Sequence, residues 1–185
     1  TVLGYGATGQ ADHSVTLGNA SVTAVHLASN SGGKFTIGTG GAVTMENQPA
    51  FLVHLSGDQT DIAADGSNVT VVFDTEIFDQ GADFASNTFT APVTGRYQLS
   101  TLLYLATLDS AVGYYQTIIK THNRDYVFVF DPDFGQDAAR WNSSISILAD
   151  MDAGDTAYVV IKQESGGTAQ TDISGSSYFS GYLAC

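Results

Sequence analysis

Short runs that are continuously apolar or strictly alternating recur along most of this chain, at residues 69–73, 97–106, 115–120, 126–130, 143–148, 157–162 and 178–183. Such runs suit strands, whose side chains point to opposite faces in turn, and sustained helical periodicity is absent. Turn chemistry bounds them. Thr121-His122-Asn123-Arg124-Asp125 reads as one hairpin loop, and Asp152-Ala153-Gly154-Asp155 as another. Twenty Gly, ten Phe, nine Tyr and only three Pro complete an all-β composition. At least seven strands at this spacing predict an antiparallel sandwich.

Residues 1–48 are patterned differently. Ser14-Val15-Thr16-Leu17-Gly18 recurs in kind as Ser21-Val22-Thr23-Ala24-Val25 and as Lys34-Phe35-Thr36-Ile37-Gly38. Segments this short cannot bury a face alone, so they need neighbours along the chain or from other chains. Three copies around one axis would pool Val15, Leu17, Val22, Val25 and Ile37, with glycines permitting close turns. The expectation is a trimeric β-stalk over 1–48, joined at Pro49 to a head over 49–185. The repeats resemble the glycine-rich segments of trimeric adhesins and phage tail fibres.

Charge narrows the partners. Nineteen Asp and Glu against six Lys and Arg give a formal charge of -13, which repels phosphate backbones, so nucleic acid is excluded as a partner. The chain opens at Thr1 without a charged-then-apolar leader, and no run approaches the roughly 18 apolar residues of a membrane span. It therefore reads as a piece of something longer that is not inserted in a membrane. Cys185 is the only cysteine, so no internal disulfide forms.

From Pro49 onward the order of motifs is specific. Pro49-Ala50-Phe51 opens a strand, and Phe73-Asp74-Thr75-Glu76 suits a second. Phe89-Thr90-Ala91-Pro92-Val93-Thr94-Gly95-Arg96-Tyr97-Gln98-Leu99 leads into the longest apolar run. Pro92 pre-sets an extended turn and withdraws a donor where the chain changes sheets, Gly95 offers a positive φ, and Tyr97 re-enters the core with Leu99, Leu103 and Leu105. Ala153-Gly154-Asp155-Thr156-Ala157-Tyr158-Val159 and Ser176-Ser177-Tyr178-Phe179-Ser180-Gly181-Tyr182-Leu183 close the series. In these motifs the segment 49–185 resembles the C1q-like domains, with Phe89, Pro92, Gly95, Tyr97, Gly154, Asp155, Phe179 and Gly181 as signature. The resemblance implies a ten-strand jelly roll related to tumour necrosis factor, packed as a homotrimer that binds ligands. No collagen triplets precede Pro49, which favours a microbial or viral fibre over a vertebrate plasma protein.

Catalysis is not indicated. His13, His26, His54 and His122 lie in separate segments without nucleophile or metal-ligand spacing, so no catalytic residue is named and no cofactor is required. A ring of His13 or His26 on a trimer axis would be able to hold a metal, against the plainer reading of stalk histidines. Asp131-Pro132-Asp133-Phe134-Gly135-Gln136-Asp137 alternates acids around a glycine, a pattern able to wrap oxygen ligands around calcium, although it departs from the EF-hand. Asp131, Asp133 and Asp137 are the ligands so implied, with a solvated loop as the alternative. Asp150, Asp152 and Asp155 read as turn residues.

Binding chemistry remains. Tyr114, Arg124, Arg140, Trp141 and Asn142 stand in or beside polar segments where rings and guanidinium groups serve recognition. Tyr115 and Tyr126 follow strand parity and belong to the core or a subunit contact, and Trp141 also suits packing between subunits. Asn68-Val69-Thr70 and Asn142-Ser143-Ser144 match the glycan-acceptor triplet. The expected function is non-enzymatic: a trimeric head at the end of a phage tail fibre or microbial surface fibre, on the virion or outside the cell, binding a host glycan or surface protein. The alternative is a trimerisation domain that registers the fibre without a ligand of its own.

Overall fold

A computed structural model describes residues 2–4, 6–9, 11–13, 15–22, 35–37 and 40–185. Two compact units divide the chain, Thr1–Gln48 and Pro49–Cys185. In the first unit, β1 (Val2–Leu3) pairs in parallel with β2 (Thr16–Leu17), and β3 (Phe35–Ile37) pairs antiparallel with β4 (Val43–Met45). These ribbons leave Leu3, Val15, Leu17, Val22, Ile37, Val43 and Met45 exposed, Val15 by 67%. Within the described residues the unit does not cover its own apolar side chains. Val25 and His26, invoked above, lie outside the described residues.

The second unit is wholly β. Its strands are β5 (Ala50–His54), β6 (Gln59–Ala63), β7 (Asn68–Thr70), β8 (Thr75–Gln80), β9 (Phe84–Ala85), β10 (Thr88–Thr90), β11 (Gly95–Leu108), β12 (Tyr114–Thr121), β13 (Asp125–Phe130), β14 (Ala138–Met151), β15 (Thr156–Glu164), β16 (Gln170–Ile173) and β17 (Tyr178–Leu183). Two antiparallel sheets result. In the first, β17 lies between β5 and β11, β14 forms the edge beyond β11, and β8 lies beyond β5. β16 continues along β11 past β17 and carries β6. In the second, β12 lies between β13 and β15, while β10 and β7 share the other side of β15. Consequently β13 and β14, one from each sheet, are both edge strands.

Alternation builds the core. Tyr97, Leu99, Leu103 and Leu105 of β11 are fully buried, as are Tyr115 and Ile119 of β12, Val159 and Ile161 of β15, and Phe179 of β17. Phe51 stacks on Phe89 at 4.7 Å and meets Phe179 edge-on at 5.0 Å. Burying each such ring contributes about 2–3 kcal/mol. Pro92 sits where the chain leaves β10 in one sheet for β11 in the other, the place its missing donor predicts.

Gly95 is required for another reason than the expected positive φ, which it does not adopt. A Cβ there would meet Leu183 Cδ1 at 2.6 Å and the Cys185 carbonyl oxygen at 2.7 Å. Crowding against the closing segment excludes a side chain. Gly154 does have the left-handed backbone, φ 94°. Phe73 precedes its strand, since β8 begins at Thr75, but it is buried all the same. Residues 140–142 stand inside the long edge strand β14 and not in a loop.

Candidate functional site

Strand direction assigns the groups predicted for binding to two ends of the sandwich. The near end holds Pro49, whose carbonyl accepts from Leu183 N, and Cys185, whose carbonyl accepts from Arg96 N. Arg124 is at this end. In the turn between β12 and β13 its backbone N–H donates to Thr121 Oγ1, and its guanidinium lies 3.7 Å from Asp150, both side chains exposed. Asp155 ties the neighbouring turn to it, accepting from Asp152 N at 2.9 Å and from Asn123 Nδ2 at 3.1 Å. Trp141 is opposite Leu105, whereas Asp150 is opposite Arg96, nine positions earlier on β11. At about 3.4 Å per residue that puts Arg124 and Trp141 roughly 30 Å apart. They do not share a site.

The far end gathers Tyr114, Arg140, Trp141 and Asn142. Tyr114 opens β12 opposite Glu164. Arg140 lies over the Tyr104 ring, 5.6 Å from its centroid. Asn142 is opposite Tyr104 on the same outer face. Trp141 points the other way, into an aromatic ladder along the open edge, 5.5 Å from Phe130 and 5.2 Å from Phe134. Phe130 continues it to Phe128 at 6.3 Å and to buried Tyr115 at 5.0 Å. Phe128, Phe134 and Trp141 remain 38–40% exposed, so among the described residues the outer rings of the ladder are only partly covered.

A second unpartnered surface is the outer face of the sheet containing β14, β11, β17, β5 and β8. Register lays its side chains in rows: Leu148, Gln98, Tyr182 and Ala50; Ser146, Ser100, Ser180, Leu52 and Phe78; Ser144, Leu102, Tyr178, His54 and Thr75. None is Asp, Glu, Lys or Arg, in a chain of charge -13. Leu148, Tyr182 and Phe78 are 49–54% exposed. Sequence reading did not pick out these residues. The available signal was Tyr178 and Tyr182 alternating against buried Phe179 and Gly181, together with the unbroken pair Ile147-Leu148.

In the acidic loop, two of the three carboxylates are engaged in local hydrogen bonds. Asp137 Oδ1 accepts from Ser110 N at 3.0 Å and Ser110 Oγ at 2.8 Å, bonds that hold its carboxyl below the ordinary value. Asp131 Oδ1 accepts from Asp133 N at 3.1 Å. Among the described residues no three His, Cys, Asp or Glu side chains converge as a metal would need. The loop borders two shallow depressions. One, of about 590 Å³, is lined by Thr107, Asp109, Asp137, Thr168 and Gln170 over Leu108, Ala138, Ala139 and Ala169; the other adjoins Phe134 and Trp141. His54 Nδ1 is within 2.7 Å of the Leu55 carbonyl.

Two β-sheets face to face, with an uncharged stretch of outer face and an aromatic open edge, define a jelly-roll domain. The C1q domain family model matches residues 50–184, and the chain belongs to that family. Its fold is similar to the globular domain of zebrafish complement 1qA protein, at 19% identity and TM-score 0.53, covering 74% of this chain and 98% of that one. It is also similar to murine APRIL at pH 8.0, at 12% identity and TM-score 0.52 with the same coverage. No curated protein sequence matches the chain. Domains of this class are typically extracellular, trimeric and receptor-binding. No helix among the described residues is long and apolar enough to cross a membrane.

Proposed function

We propose that the chain is a non-enzymatic homotrimeric head with its β-stalk, part of a phage tail fibre or microbial surface fibre, and that the far-end loops recognise a host-surface glycan or protein. The observation that carries this reading is the pair of unpartnered apolar surfaces on one protomer. The aromatic edge of one copy is laid on the uncharged sheet face of the next, and three such head-to-tail contacts close a ring. Trp141 serves that contact. Exposed Val15, Leu17, Val22 and Ile37 support association of the leader as well. Recognition falls to the far-end loops around Asp109, Asp137, Thr168 and Gln170, and three copies gain avidity.

A purely structural role is the second reading, favoured by how much of the exposed apolar surface suits self-association. Sedimentation of the full chain tests assembly, and a monomer at micromolar concentration removes both readings. Glycan-array and cell-surface binding by the trimer separates them. Recognition requires binding that falls at least tenfold in Asp137→Ala plus Gln170→Ala with the trimer intact. No binding to any glycan or cell surface leaves the structural role.

A further inference from the structure

Two basic side chains of the head lie at the margins of the uncharged face. Arg96 borders it at the near end and Arg140 at the far end, and neither has a carboxylate partner among the described residues. By contrast Lys120 pairs with Asp125, Lys162 with Glu164 and Arg124 with Asp150. Arg140 is also held in place: its guanidinium rests over Tyr104 and one of its nitrogens donates to the Ala139 carbonyl at 3.1 Å. Leaving an oriented, exposed guanidinium unpaired in a chain of charge -13 wants a reason, because acids are abundant.

The complement is on the other surface. The loop between β13 and β14 caps the aromatic edge at the same far end and carries Asp131 and Asp133. Both are exposed. The Asp133 carboxylate makes no hydrogen bond or ion pair among the described residues, and Asp131 accepts only the Asp133 N–H. Asp137, the third acid, is engaged by Ser110 and is not free to move.

We infer that Arg140 of one copy forms an ion pair with Asp131 or Asp133 on the loop of a second copy, and that this pair fixes the register of edge on face. The inference rests on the assembly proposed above. A rotation about an axis keeps every atom at its height along that axis, so with the axis along the strands the far end of one copy meets the far end of the next. Arg140 and the Asp131–Asp133 loop are at matching heights, one on the face and the other on the edge. The apolar contact itself carries little positional information, since a sheet face of Leu, Tyr and Ser tolerates sliding. A charge pair at its rim supplies that information, and mispairing a charge there is penalised.

Three variants of the full chain test this by sedimentation at low and high salt: Arg140→Glu, the pair Asp131→Lys with Asp133→Lys, and all three substitutions together. A rim pair changes association about fivefold per contact, which over three contacts raises the concentration at half-dissociation about tenfold for either one-sided reversal. The combined variant is expected to return close to the parent, and the differences to shrink at high salt. Circular dichroism identifies any variant that has failed to fold, and Arg140→Gln serves as its substitute with a smaller shift in the same direction. A trimeric parent whose Arg140→Glu form dissociates at the parent's concentration overturns the pairing alone, as does a combined variant no better than the one-sided ones. A monomeric parent overturns the assembly along with it.

Discussion

Gly181→Ala is a test of core packing in which the sign of the effect decides. A Cβ at position 181 would lie 2.6 Å from Leu99 Cδ2, 2.7 Å from Phe51 Cε1 and 3.1 Å from Phe51 Cζ. Both neighbours are buried, and Phe51 is itself held between Phe84, Phe89 and Phe179, so neither gives way freely. Gly181 does not use a positive φ, and a glycine of ordinary backbone gains about 0.4–1 kcal/mol on becoming alanine. Overpacking costs about 1–3 kcal/mol. The net is a loss of roughly 1–2 kcal/mol, a fall of about 3–8 °C in Tm for a domain of this size. Thermal and urea unfolding of the protein at fixed concentration measure it. Adding Leu99→Ala removes the closest contact, and the two substitutions together are expected to cost less than their sum by more than about 0.5 kcal/mol. A Gly181→Ala protein as stable as the parent or more so would refute the packing account.

Thr117 and Ser143 share a buried hydroxyl pair at 2.5 Å; Thr117→Val strands the Ser143 hydroxyl and costs about 1–3 kcal/mol, while adding Ser143→Ala restores most of it in the same unfolding assay. Gly154→Ala has open space around it but φ 94°, so only the backbone objects and the loss is about 1 kcal/mol. Serine bonds hold the Asp65, Asp74 and Asp137 carboxyls below the ordinary value. A depressed folded value means stability present above the ordinary carboxylate value near 4 and lost as pH falls through the lower folded values, so Tm should fall in that acid window. Asp83 runs the other way: partial burial and then the Asp79 charge raise it. Asp83→Asn should therefore raise Tm at neutral pH, and the gain should vanish once acid has protonated Asp83 in both folded and unfolded chains.

Strand alternation made the head legible because each inward side chain had no other place to go. Tyr97, Leu99, Leu103 and Leu105 share parity, and all four are buried. The turns at Thr121–Asp125 and Asp152–Asp155 fall where short polar breaks predicted them. Position along a strand was not legible in the same way. Arg124 and Trp141 look equally attractive in sequence, yet their opposite ends follow only from which strands pair and in which direction. Similarly, the polar triplet Arg140-Trp141-Asn142 reads as a loop until pairing with β11 shows it as edge strand, where even an exposed backbone is extended. The outer face was hidden for a physical reason: Leu148, Tyr178 and Tyr182 are ordinary strand residues, and only register aligns them into a surface without charge.

The strand β17, at the C-terminal side of the domain, is threaded between β5 and β11 in the interior of its sheet, and Phe179 on it touches rings contributed from residues 51, 73 and 84. A ribosome delivers that strand after all the others, so until it emerges the growing head has a slot through its middle and phenylalanines without a lid. Folding of the domain is thereby deferred until β17 has emerged, and a copy truncated before Tyr178 leaves Phe51, Phe73 and Phe84 without the Phe179 ring that packs on them.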